Sequence, residues 1–246
     1  MRLLMIIPAY NEEDNIVNVV NNIKEKYPEY DYVIINDGST DHTSKRCHRE
    51  GFEIIDLPTN IGLAGAFQTG LKYAYSRGYD CALQFDADGQ HRPEYIDSML
   101  NKLSQGYDIV IGSRFLKKRK DKSFRMLGAR ILTVAIKLTT GKRISDPTSG
   151  MRMFNRNMIK EFAVNINYGP EPDTISYLLK NGASIAEVQV EMDERISGAS
   201  YLNWSQSAMY MFRMLVSILF IQNFRKRDSR HVVMKRMANP NADNKQ

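Results

Sequence analysis

The stretch LQFDADGQHRP, residues 83–93, decides how the chain is read. An apolar run from Cys81 to Phe85 delivers three polar ligand candidates at its end: Asp86, Asp88 and Gln90. Two carboxylates one residue apart, with an amide oxygen two further on, suit a hard divalent cation that keeps water and accepts phosphate oxygens. Asp, Gly and Gln also make good turns, so the bland alternative is a solvated turn. The residues on either side weigh against it.

Before this stretch, short apolar runs alternate with helical patterns. Leu3 to Ile7 reads as a strand stopped by Pro8, and Ile16, Val19, Val20 and Ile23 mark one face of a helix. Tyr32 to Ile35 is a second strand, Glu53 to Leu57 a third, Cys81 to Phe85 a fourth and Ile109 to Ile111 a fifth. Helices are expected after Thr40-Asp41, over Ala64 to Tyr75, and from Pro93, a residue favoured at a helix start. The alternation predicts an α/β fold with a mainly parallel sheet flanked by helices. After Ser113-Arg114 it stops. Residues 123–140 are amphipathic, with Phe124, Leu127, Ile131, Val134 and Leu138 at helical spacing, and Ser145 to Met153 reads as loop. A helix over Thr174 to Lys180, a strand over Ile185 to Val190 and a last helix over 205–224 complete the chain.

Length and composition allow one large domain. The 246 residues are 43% hydrophobic and 25% charged, as in ordinary globular proteins. The net charge of +6 permits anionic partners without identifying them. Cys47 and Cys81 form no CxxC pair, so neither a zinc site nor a disulfide framework is suggested. The apolar run before Pro8 is too short for a signal peptide, and a reducing cytoplasm is expected. Residues 209–221 are largely apolar, but as a helix they cover roughly 20 Å against a hydrocarbon core of about 30 Å. That segment is expected to lie in a membrane interface or to pack on the domain or on another subunit.

Polar signals fall at the carboxyl ends of the predicted strands: PAYNE at 8–12, NDGS at 36–39, Asp86-Ala87-Asp88, and Gly112-Ser113-Arg114. In open α/β sheets ligands bind at that edge. Asp37 can accept from a base N–H, and the ring of Tyr10 can stack. The runs PAYNEE (8–13), NDGSTDHT (36–43), NIGLAGAFQTGLKYA (60–74), DADGQHRP (86–93) and GSR (112–114) resemble the family 2 glycosyltransferases, in the branch of dolichyl-phosphate mannosyltransferase and the bacterial polyprenyl-phosphate glycosyltransferases. DPTSGMRMF (146–154) and ERISGAS (194–200) are similar to two further segments of that branch, and the likeness covers about residues 1–200.

The resemblance implies a GT-A (Rossmann-like) fold over 1–200, an amphipathic helix over 201–227 and a polar tail over 228–246. It also implies a nucleotide-sugar donor and Mg²⁺ or Mn²⁺. The nucleoside would lie near Pro8, Tyr10, Glu12, Asp37 and Asp86. The metal would sit at Asp86, Asp88 and Gln90. Asp88, Arg114 and Arg195 would act in catalysis, Arg195 against the diphosphate. Arg114, with Arg125 or Arg130, would face an acceptor phosphate. Asn36 stands where many relatives have an aspartate.

Transfer is expected to be inverting, with charge developing on the leaving phosphate. A hydroxyl acceptor wants a positioned carboxylate, for which Asp146, Glu171 and Asp173 are candidates. A lipid phosphate needs no base, only arginines and an apolar surface. The basic 114–130 stretch and the amphipathic helices favour polyprenyl phosphate as acceptor, at the cytoplasmic face of the cell membrane. Extension of a cell-surface glycan, or a silent nucleotide-sugar-binding scaffold, are the alternatives. Many relatives carry C-terminal transmembrane helices. Here one short amphipathic helix suggests peripheral attachment, a small membrane protein partner or homo-oligomerisation. No nucleic-acid partner is expected.

Overall fold

The computed structural model describes residues 1–116, 124–166, 169–193 and 204–221. Among these residues seven strands form one sheet: β1 Leu3–Ala9, β2 Asp31–Asn36, β3 Ile54–Asp56, β4 Cys81–Gln84, β5 Ile109–Ser113, β6 Arg152–Asn155 and β7 Ile185–Gln189. Their order is β3-β2-β1-β4-β6-β5-β7. All neighbours run parallel except β6, which is antiparallel to both β4 and β5. β1 lies in the interior of the sheet and is buried along its whole length, which is why it reads as a continuous apolar run.

Helices cover both faces. On one side α1 Ile16–Lys26, α2 Thr43–Arg49 and α4 Ile96–Ser104 bury Val20, Cys47 and Met99 against Met5, Leu83 and Val110. On the other side lie α3 Gly62–Ser76, α5 Phe124–Thr140, α6 Arg156–Val164, α7 Pro172–Lys180 and α8 Trp204–Val216, the last continued by a π-turn, Ser217–Ile221. Their core contains Ile6, Ile35, Phe67, Ile111, Leu132, Phe154 and Ile218.

Most predicted elements are present, with three differences. Pro8 does not end β1, which continues to Ala9. Pro93 opens a 3₁₀ turn, Pro93–Tyr95, ahead of α4. β6 begins inside the stretch Ser145 to Met153 read as loop, and α6 follows where no element was assigned; Asn155 caps α6 by accepting from the Met158 N–H at 2.9 Å. In α5 the apolar stripe Leu127, Ile131, Val134 and Leu138 is exposed, and the packed face is Met126, Ala129, Leu132, Ala135 and Ile136. Among the described residues no helix is long and apolar enough to cross a membrane. The last helix keeps its predicted start within a residue, while 222–246 lie outside the described residues.

Candidate active site

The carboxyl ends of β1, β2 and β4 and the start of β6 meet along one edge of the sheet. There they enclose a cleft of about 760 Å³, within the usual size for a small-molecule site. Pro8, Tyr10, Glu12 and Asp37 line it from the ends of β1 and β2, Asp86 and Asp88 from the end of β4, and Arg152, Glu171 and Tyr210 from the start of β6, the start of α7 and α8.

At the first end the side chains are held by local hydrogen bonds. Asp37 is buried, and its Oδ1 accepts from the Ile61 N–H at 2.8 Å. Gly38, at φ +66°, makes this possible: a Cβ there would stand 2.6 Å from the Asn60 nitrogen, so only glycine admits the 59–61 loop. Glu12 is also buried, and accepts from Asn15 Nδ2 at 2.7 Å. Asn36 does not line the cleft. Its Nδ2 donates to Asp56 Oδ1 at 2.7 Å, a contact that an aspartate at 36 would turn into repulsion.

The central loop is set by His91. The Asp86 backbone N–H donates to His91 Nδ1 at 2.9 Å, so Nδ1 is an acceptor and the ring proton of the neutral imidazole sits on Nε2. Nε2 lies 3.3 Å from Asp86 Oδ2. One imidazole thus grips both the backbone and the carboxylate of Asp86, as outer partners orient metal-binding carboxylates. Gly150 backs the same oxygen; a Cβ there would come within 2.8 Å of it. Asp88 is buried and accepts from the Gln90 N–H at 3.1 Å. Gln90 lies outside the cleft wall, its Nε2 reaching the Asp193 carbonyl at 3.4 Å. Two carboxylates facing one cleft fit a hard cation that takes its remaining ligands from water and a diphosphate. Among the described residues no group of three or more His, Cys, Asp or Glu side chains is placed to hold a metal ion by itself.

The remaining candidates are spread out. Arg114 Nε donates to Asp146 Oδ2 at 2.7 Å and Nη2 to Oδ1 at 2.9 Å, a bidentate pair on a fully buried carboxylate. Burial pushes the Asp146 carboxyl up, but the hydrogen bonds and charge of Arg114 outweigh it and hold the group below its ordinary range. Asp173 accepts from Ser217 Oγ at 2.6 Å. Neither Asp146 nor Asp173 lines the cleft, whereas Glu171 does, accepting from the Tyr210 hydroxyl. Arg130 edges a separate shallow groove made with Ile131, Val134, Leu138, Leu215 and Leu219. Arg195 and the Arg125 side chain lie outside the described residues.

Gln84, Arg152 and Tyr210 are among the wall residues that were not foreseen. Gln84 and Arg152 fall in motifs already noted, where alternation along the strands could have pointed to them. Tyr210 carried no local signal, because it reaches the cleft only when α8 folds back against α5.

Residues 5–162 match the family described as glycosyl transferase family 2. The polyprenol monophosphomannose synthase of Mycolicibacterium smegmatis is 26% identical, the match covering 86% of this chain and 85% of that one. The UDP-N-acetylglucosamine–dolichyl-phosphate N-acetylglucosaminyltransferase of Methanococcus voltae is 32% identical over 77% of this chain and 84% of its own. Among solved structures, glucosyl-3-phosphoglycerate synthase of Mycobacterium tuberculosis, in complex with Mn²⁺, UDP-glucose and phosphoglyceric acid, superposes with a TM-score of 0.70. It is 18% identical, covering 92% of this chain and 81% of that chain, and shares the fold.

Proposed function

The chain belongs to glycosyl transferase family 2, and from that premise we propose that it moves a sugar, with inversion, from a nucleotide diphosphate to polyprenyl phosphate at the inner face of the cell membrane. The observation that carries this reading is that Asp86 and Asp88, after β4, line one cleft with Tyr10 and Asp37, which follow β1 and β2, and with Glu171 and Tyr210, while β6, the strand on the other side of β4, opens into the same cleft. A nucleoside diphosphate laid along that edge puts its base by Tyr10 and its phosphates by the two carboxylates. Its sugar then falls against the β6 end.

The roles follow from chemistry. Asp37, Glu12, Pro8 and Tyr10 hold base and ribose. Asp86, oriented by His91, and Asp88 hold Mg²⁺ or Mn²⁺, with Gln90 close by. When bound, that cation stabilises the charge developing on the leaving diphosphate. Arg195 supports the same charge. Arg114 is kept rigid by Asp146, and with Arg125 or Arg130 attracts the acceptor phosphate, whose anionic oxygen attacks the anomeric carbon without a base.

The apolar side chains exposed on α5 and α8 favour a lipid acceptor and peripheral membrane attachment. Leu127, Ile131, Val134 and Leu138 on α5, with Met209 and Phe212 on α8, remain at least 45% exposed. Residues 201–227 would then be an interfacial element rather than a separate domain, open also to a small membrane protein or a second copy. One observation favours a second reading, a hydroxyl acceptor: Glu171 is the single base candidate of the three that lines the cleft. Incubating the protein with undecaprenyl phosphate and a panel of labelled nucleotide sugars divides the two. Label extracted into the organic phase supports the lipid phosphate, and label that stays aqueous overturns it.

A further inference from the structure

Arg152 has no role in the assignments above, yet its surroundings are unusual. Along β6 the side chains alternate: Met151 and Met153 pack in the core under α1 and α4, while Phe154 packs under α3, α5 and α8. Arg152 therefore faces the α8 side, at the strand end that opens into the cleft. It is 5% exposed. Among the described residues its side chain makes one hydrogen bond, from Nη2 to the Pro147 carbonyl at 2.7 Å, and its Nε–H has no acceptor.

A buried guanidinium with an unmet donor is costly. It is tolerated where a ligand brings the missing oxygen. Glu171 lines the cleft beside it, fixed by the Tyr210 hydroxyl. Burial, then Glu171, push the Tyr210 hydroxyl well above its ordinary value, so Tyr210 stays protonated and donates. The charge of Asp86 is also felt at Arg152. The wall thus offers an N–H donor, a carboxylate acceptor and little net charge.

Strand order says which part of the donor meets this wall. Tyr10 and Asp37 follow β1 and β2, Asp86 and Asp88 follow β4, and β6 is the next strand across the sheet. Beyond the diphosphate comes the sugar.

We propose that Arg152 recognises the transferred sugar by donating to one of its oxygens, while Glu171, held by Tyr210, accepts from a hydroxyl of the same ring. The sugar that fits is a neutral hexose, because a uronic acid would bring a third carboxylate to a wall that already holds Glu171 and Asp86. This rests on the donor reading given above. It also makes α8, through Tyr210, part of the sugar site.

The test compares a nucleoside diphosphate with its hexose conjugate, UDP with UDP-glucose and GDP with GDP-mannose, by calorimetry on the full chain with Mn²⁺. Arg152→Gln should leave affinity for the nucleoside diphosphate unchanged and weaken the conjugate by about 10- to 100-fold, the worth of one charged hydrogen bond. Equal weakening of both ligands overturns the assignment. If Arg152→Gln does not fold, Glu171→Gln and Tyr210→Phe carry the same comparison; each should weaken only the conjugate, and an unchanged conjugate affinity in both refutes the wall. UDP-glucuronate bound as tightly as the hexose overturns the neutral-sugar claim. A wild-type chain that binds no nucleoside diphosphate refutes the donor reading itself, and the inference with it.

Discussion

At Asp86 one imidazole serves two groups. The backbone N–H fixes the tautomer of His91, and the tautomer aims a proton at the carboxylate. His91→Ala should therefore weaken Mn²⁺ binding in the presence of a nucleoside diphosphate by about 10- to 100-fold, the usual cost of losing an outer partner of a metal ligand. Asp88→Asn should lower the transfer rate by about 100- to 1000-fold, as removal of a contact to developing charge does elsewhere; steady-state assays with saturating donor check it. Asp146 acts on stability. Its carboxyl titrates below the ordinary range in the folded chain, so the pair with Arg114 stabilises fully above about pH 4, the unfolded value. That contribution is lost as pH falls through the lower, folded value. Asp146→Asn should cost about 3 kcal/mol at pH 7 by leaving Arg114 without its counter-charge. Urea titrations from pH 7 to pH 3 should show the gap to wild type closing on acidification.

Among the elements, α3 shows how close packing positions the cleft. A Cβ at Gly70 would stand 2.2 Å from Ile6 Cγ2, so α3 lies directly on β1. Alanine favours helices, yet Gly70→Ala should destabilise the chain by about 1–3 kcal/mol through overpacking. Denaturant midpoints measure this. The small residues of NIGLAGAFQTG permit such an approach. β6 and α6 were harder to read. Strand β6 is four residues long, and its apolar positions divide between two cores with an arginine at its start. No period shows over so short a stretch. The cap of α6 was legible at Asn155, but Asn is equally a turn residue. In α5 the helical period was legible and the packed face was not assigned; small Ala129 and Ala135 pack inward while larger Leu127 and Leu138 face out.

For the molecule as a whole, that outward face is the consequence with most reach. Besides the stripe on α5, Met209 and Phe212 on α8 and Phe220 and Ile221 on the π-turn are exposed, and a groove lined by Ile131, Val134, Leu138, Leu215 and Leu219 runs between the two helices. A large exposed apolar patch marks a contact with lipid or with protein. With Leu138→Glu and Phe212→Glu combined, co-sedimentation with phosphatidylglycerol vesicles should fall by about tenfold or more, since each large apolar side chain is worth 1.5–3 kcal/mol when buried. Transfer to a short-chain, detergent-dispersed acceptor should be unaffected. A loss of sedimentation without such a change in activity separates attachment from chemistry.

The residues alone determined the α/β class, the alternation of β1 to β5 with helices, and the row of polar groups at the strand ends. Those features repeat at short range, where periodicity and turn chemistry act on neighbours in the chain. Tertiary structure decided the antiparallel insertion of β6, the pairing of Arg114 with Asp146, the outward turn of the α5 stripe, and the meeting of Arg152, Glu171 and Tyr210. Each of these depends on segments far apart in sequence competing for the same space, and no local pattern records who wins that competition.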